Sequence, residues 1–183
     1  MVRKLIIILL SALLCQMLSA QDHLDFQGIP VDGPLPSLVK PLKGLGFKAK
    51  DKDRDCHWFR GKYYGEQAEL MVATTSVSGT AYLFMLTCPA KSDWPSLKNQ
   101  YDYFKMRLTA LHGEPTNLRE DFTFPYTESD GLRALEYDKC HFVCTWVLPE
   151  GKITLTITTD HHARLFFIDR TNSDLATSEG DGQ

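Results

Sequence analysis

Residues 140–170 read CHFVCTWVLPEGKITLTITTDHHARLFFIDR, and this stretch decides the fold. Ile153, Leu155 and Ile157 alternate with Thr154, Thr156 and Thr158, the period-two pattern of a strand with one face on a core and one toward water. The runs Cys140–Leu148 and Arg164–Arg170 flank it. Pro149-Glu150-Gly151 and Asp160-His161-His162 supply the turns, so three consecutive strands form an antiparallel meander. Phe166 and Phe167 are adjacent and point to opposite faces, so one aromatic ring turns away from the core. On an open sheet face such a ring recruits a partner; otherwise another part of the chain covers it.

The same order of elements occurs upstream. Cys56-His57-Trp58-Phe59 matches Cys140-His141-Phe142-Val143 at an offset of 84. Strand-like runs cover Cys56–Tyr64, Glu66–Ser76 and Ala81–Cys88, the last two joined by the turn Val77-Ser78-Gly79-Thr80. A shorter run at Phe47–Lys50 precedes them, and His23–Val31 reads as a short strand. A helix comes before each set. One covers Leu35–Leu45, with Leu38, Val39, Leu42 and Leu45 at helical spacing and Pro41 unfavourably inside. The other covers Ser92–His112, capped by Ser92 or Asp93, with Trp94, Leu97, Tyr101, Phe104, Leu108 and Leu111 on one stripe, and is stopped by Gly113 and Pro115. Asn117–Gly131 reads as a strand and a loop, and Leu132–Tyr137 as a further strand-like run. The expected fold is α+β, with two tandem units over 21–90 and 91–172, each a helix packed on its own antiparallel sheet. A unit of about 70 residues has a thin core, and two packed together bury more apolar surface.

The chain ends differ in character from this middle. Arg3 and Lys4 precede an apolar run from Leu5 to Leu18, and small Ala20 precedes Gln21, the pattern of a cleavable signal peptide over 1–20. Leu13 and Leu14 before Cys15 do not suit a lipoprotein cleavage site. Cleavage after Ala20 leaves a chain in the periplasm or beyond, with no later segment apolar enough to span a bilayer. Its 18 basic and 23 acidic residues give a net charge of −5. That balance gives no footprint for nucleic acid, and 43% hydrophobic residues exclude a disordered chain. Residues 173–183 read as a flexible acidic tail.

Cys56, Cys88, Cys140 and Cys144 remain after cleavage, either as disulfide partners suited to an oxidising compartment or as buried free thiols. On a strand Cys140 and Cys144 lie about 13 Å apart, which is too far for a disulfide between them or for one zinc ion to bridge. His57 and His141 point away from the neighbouring cysteines, so neither pair makes a nucleophile with its base. No phosphate loop, serine elbow or His-Glu-x-x-His motif occurs, and nothing calls for a cofactor. Two further candidates are the turn Thr159–His162, with two histidines and a carboxylate, and the loop Asp121–Gly131, which an inhibitor would present.

Certain strings taken together resemble small exported proteins of Bacteroidetes-type bacteria: Trp94-x-x-Leu97, His112-Gly113-Glu114-Pro115, Trp146 followed by Gly151-Lys152-Ile153-Thr154-Leu155, and Phe166-x-x-Asp169-x-x-Asn172. The resemblance implies a cell-envelope or secreted location and carries over no catalytic residue. The helix-plus-sheet duplication is also similar to β-lactamase inhibitor proteins and to small lipoproteins of outer-membrane assembly, which bears on fold alone. The expected function is a non-catalytic binding or assembly module. It would use a face holding Thr154, Thr156, Thr158 and Phe166, or the groove between units, to hold a protein. The alternatives are an envelope hydrolase whose site forms only in three dimensions, and a protein inhibitor.

Overall fold

The computed structural model describes residues 23–180; the signal-peptide reading lies outside them. Among these residues the fold is α+β: one eight-stranded antiparallel sheet, a two-stranded hairpin and four helices. The segment expected to be one short strand is the hairpin, β1 (Asp25–Phe26) and β2 (Ile29–Pro30), reversed at Gln27 and Gly28. Helix α1 (Leu35–Gly44) leads into a meander of β3 (Lys48–Asp53), β4 (Cys56–Tyr63), β5 (Glu66–Thr74) and β6 (Ala81–Thr87). Helix α2 (Trp94–His112) leads into a second meander of β7 (Asn117–Phe122), β8 (Cys140–Val147), β9 (Gly151–Ile157) and β10 (Ala163–Asp169), after which α4 (Arg170–Gly180) is the last described element. Between β7 and β8 the chain makes a 3-10 turn (Glu128–Asp130) and a short helix, α3 (Gly131–Glu136).

The meanders do not form two separate sheets. Strand β6 pairs with β10, giving the order β3-β4-β5-β6-β10-β9-β8-β7. Both helices pack on the same face of this sheet, because a single core cluster holds Leu38 and Leu42 of α1, Leu97, Tyr101, Phe104 and Leu108 of α2, and inward residues of both meanders. Helix α2 also departs from the expectation that each helix covers its own unit. At 1.5 Å per residue it is about 28 Å long, enough to cross most of the sheet. Phe104 packs on Tyr63 of the first meander, while Tyr101 and Trp94 pack edge-on against Phe142 of the second. Its start follows the capping rule: the Asp93 side chain accepts the Ser96 N–H at 2.8 Å, and Pro95 sits in the first turn. The hairpin β1–β2 closes the core, with Phe26 between Tyr63, Phe84 and Phe167.

Two glycines allow close packing. A Cβ on Gly61 would meet the Phe47 ring at 2.6 Å, so the ring can lie over β4 only at a glycine. Gly131, with φ 24°, sits against Trp94, where a Cβ would come within 2.5 Å. That contact fixes the start of α3, where a strand-like run was expected: Ala134 and Leu135 are buried, Leu132 packs on the core, and Glu136 and Tyr137 face out. The expected flexible tail is likewise helical as far as Gly180. Asn172 Nδ2 donates to the Val31 and Ala81 carbonyls and to Asp32, and Glu179 accepts the N–H groups of Val77 and Ser78. No helix among the described residues is long and apolar enough to cross a membrane.

Candidate binding surface

Helices α1 and α2 and the β1–β2 hairpin pack on one face of the sheet, and the side chains of its other face lie outside the core cluster. Strand register aligns those side chains into rows that cross the strands. The central row runs Trp58, Met71, Met85, Phe166, Thr154, Thr145, following the pairs Trp58↔Met71, Met71↔Met85, Met85↔Phe166, Phe166↔Thr154 and Thr154↔Thr145. Its first four members are large and apolar, and each is half-buried. Met85 and Phe166 form the pair at the seam between the meanders. The row on one side holds Ala73, Leu83 and Ile168. The row on the other side is polar: Lys48, Arg60, Glu69, Thr87, Arg164 and Thr156, with Val143 and Arg119 beyond.

Of the four residues expected on a binding face, Thr154, Thr156 and Phe166 lie on this surface. Thr158 lies just past the end of β9, where its hydroxyl oxygen accepts the His162 N–H at 3.1 Å. The alternative of Phe166 covered by the other unit does not hold, because the meanders lie side by side in one sheet; Phe166 is sheltered by its row neighbours and Phe167 is the ring in the core. The residues missed by sequence reading are Trp58, Met71 and Met85. For Met71 and Met85 the signal was present in the strings ELMVA and YLFML, which are apolar on both faces of a strand, unlike the half-polar ITLTITT.

Two clefts open along the polar row. One, of about 510 Å³, is lined by Arg60, Gln67, Glu69, Thr87 and His162. The other, of about 640 Å³, is lined by His141, Asp138, Thr156, Asp160 and Arg164. Their charged groups answer one another. Arg60 and Lys50 both bond Glu69, at 2.9 and 2.7 Å, and hold its carboxyl below the usual range. The Thr158 hydroxyl does the same for Asp160, helped by His162 and Arg164. His141 lies 3.9 Å from Asp138, and His161 Nε2 lies 3.5 Å from Glu136. The ring nitrogens Nδ1 of His23 and His162 face the Asp169 carboxylate and the Cys88 carbonyl, and among the described residues no group of three His, Cys, Asp or Glu side chains is arranged to hold a metal ion.

All four described cysteines are free thiols. Cys88, Cys140 and Cys144 are buried, and burial pushes them up to about 12, 12 and 11. Cys56 is half-buried on the open face while Cys140 is in the core, so the Cys-His match at offset 84 joins residues on opposite faces. A slip of one residue reverses the facing of a strand, so the short match is not a structural equivalence.

The loop after β7 is closed by bonds of its own. The Thr123 N–H donates to Lys139 O at 2.8 Å, Tyr126 N–H to Thr123 O at 3.0 Å and Thr127 N–H to Asp130 Oδ2 at 2.8 Å. Phe122 and Tyr126 pack on the core, and Phe124 between them is 92% exposed. Compared with family models, curated proteins and solved structures, the chain matches none.

Proposed function

We propose that the chain is an exported, non-catalytic binding or assembly module of the bacterial cell envelope, and that it holds a protein partner on the open face of its sheet. One observation carries this reading: the row Trp58, Met71, Met85, Phe166 sets four large apolar side chains side by side on the face that lies opposite α1 and α2. Aromatic residues and methionine are the types enriched at the centres of protein interfaces. The edges of the sheet are poor sites for an added strand, since β3 (KAKDKD) is exposed throughout and β7 (NLREDF) nearly so, and both are charged. The export part of the reading rests on Arg3, Lys4, the apolar run Leu5–Leu18 and Ala20 before Gln21, with cleavage after Ala20.

The two-unit architecture belongs to the same proposal. Its support is the repeated order of a helix followed by a four-stranded meander, with the last strands of the two meanders side by side. In this reading the duplicated sheets share one core and one uncovered face, and the binding row crosses the seam between them.

A second reading, a protein inhibitor, is favoured by Phe124, an exposed aromatic side chain at the tip of an anchored turn. One experiment separates the two. Envelope extract is passed over the immobilised protein and its Met85→Asp and Phe124→Ala variants, each checked for folding by circular dichroism. A partner held about 30-fold less tightly by Met85→Asp and unchanged by Phe124→Ala supports the face, since an interface anchor is worth about 2 kcal/mol or more. The opposite pattern moves the function to the loop.

A further inference from the structure

The open face is charged unevenly. Residues 40–62 hold eight basic and three acidic residues, while the rest of the described chain holds ten basic and eighteen acidic. This excess surrounds the first two strands of the sheet. On the open face it comprises Lys48, Arg60 and Lys62, with Lys50 reaching in to Glu69. Glu69 is shared by Lys50 and Arg60, and Arg60 remains 65% exposed. Lys48 and Lys62 have no ion pair among the described residues, and Asp51 beside Trp58 and Asp53 beside Cys56 are the other carboxylates of these strands on this face. Farther along the polar row Arg164 lies 3.5 Å from Asp160 and bonds Thr87, and Arg119 is paired with Asp121. An apolar row and a cationic row therefore run side by side across the strands, about 6.6 Å apart by strand rise.

Resting on the reading of this face as the binding surface, we infer that its occupant is an acidic, amphipathic segment of a protein, laid across the strands with apolar side chains on Trp58, Met71, Met85 and Phe166 and carboxylates against Arg60, Lys48 and Arg164. The four apolar positions span about 14 Å at a strand spacing near 4.8 Å, a length that about ten helical residues cover. A basic segment would bring like charges to Arg60 and Lys62, which costs binding and slows encounter. A flat lipid surface is disfavoured by shape. The apolar row is half-buried among its neighbours, and charge brackets it at Asp51 and along the polar row, so lipid headgroups meet the charged rim before any acyl chain reaches the row.

A random-peptide phage library panned on the purified protein tests this, with vesicles of phosphatidylglycerol and phosphatidylethanolamine as a parallel arm. The expected result is enrichment of acidic peptides carrying several apolar residues. Their affinity falls about tenfold or more with Met85→Asp and with Lys48→Glu/Arg60→Glu, and weakens as salt rises from about 50 to 500 mM. The charge-reversed residues are exposed, so that variant tests the charge independently of any loss of packing in Met85→Asp. Neutral or basic peptides that still depend on Met85 overturn the charge assignment and leave the binding face standing. Peptides indifferent to Met85→Asp overturn both. No enrichment of acidic peptides overturns the inference, whether or not the vesicles bind.

Discussion

Cys88, Cys140 and Cys144 lie in the core as neutral thiols, and burial fixes both their reactivity and a pH limit on stability. Their folded values of about 12, 12 and 11 lie above the ordinary 9.0. Below pH 9 the folded and unfolded chains bind the same protons at these sites. Above it the unfolded chain ionises first, so stability falls as pH rises from about 9 toward 11–12, by up to about 1.4 kcal/mol per pH unit for each thiol. Urea unfolding from pH 7 to 10.5 measures this, and a flat profile above pH 9 contradicts it. Reactivity follows from the same burial, because the thiolate is the nucleophile. At pH 8 iodoacetamide should label Cys56 in the native protein and the other three only in denaturant, as read by intact mass. The half-buried position of Cys56 beside the apolar row also makes its modification a probe of the open face.

At the scale of elements, Asp169 joins three parts of the chain. It ends β10 with its carboxylate fully buried, accepting the N–H of Leu24 at 2.9 Å, the N–H of Asn172 at 2.9 Å and an N–H···O contact from His23 Nδ1 at 3.1 Å. Asp169→Ala leaves two backbone donors buried without an acceptor, so it should cost about 2–4 kcal/mol in urea unfolding. It should also loosen α4 and the approach to β1 before the sheet opens, seen as faster amide exchange at Leu24 and Asn172. The string Asp169-x-x-Asn172 was visible in the sequence, but its purpose was not, because Val31 and Ala81 bond it from 141 and 91 residues away. The same limit explains what else was legible. Alternation placed β4, β5, β6, β8, β9 and β10 within two or three residues, and capping placed α2. Alternation also separated Thr154 and Thr156 from the core face, and required one of Phe166 and Phe167 to turn outward without choosing between them. It did not identify α3, whose six residues are too few to show a helical period and whose start depends on Trp94. Nor did it place Trp58 beside Met71 and Met85, since each row exists only once the register of four strands is set.

For the whole molecule, the consequential feature is that a single core serves both meanders. Helix α2 follows the first meander in sequence yet packs on Tyr63 of that meander as well as on Phe142 of the second. A fragment ending near residue 90 lacks α2 and the partner of β6. It should remain unfolded by circular dichroism, while the whole protein unfolds in urea in one transition with coincident fluorescence and circular dichroism. Two separate transitions would show independent units. The seam between β6 and β10 has a further consequence for a chain made from its N-terminus. Thr87 pairs with Arg164, 77 residues later, and Leu83 pairs with Ile168. Strand β6, the most apolar of the first meander, therefore stays an uncapped edge until β10 is delivered. Synthesis sets the clock for closing the sheet: throughout elongation the nascent chain carries a sticky border, and the final strand removes it.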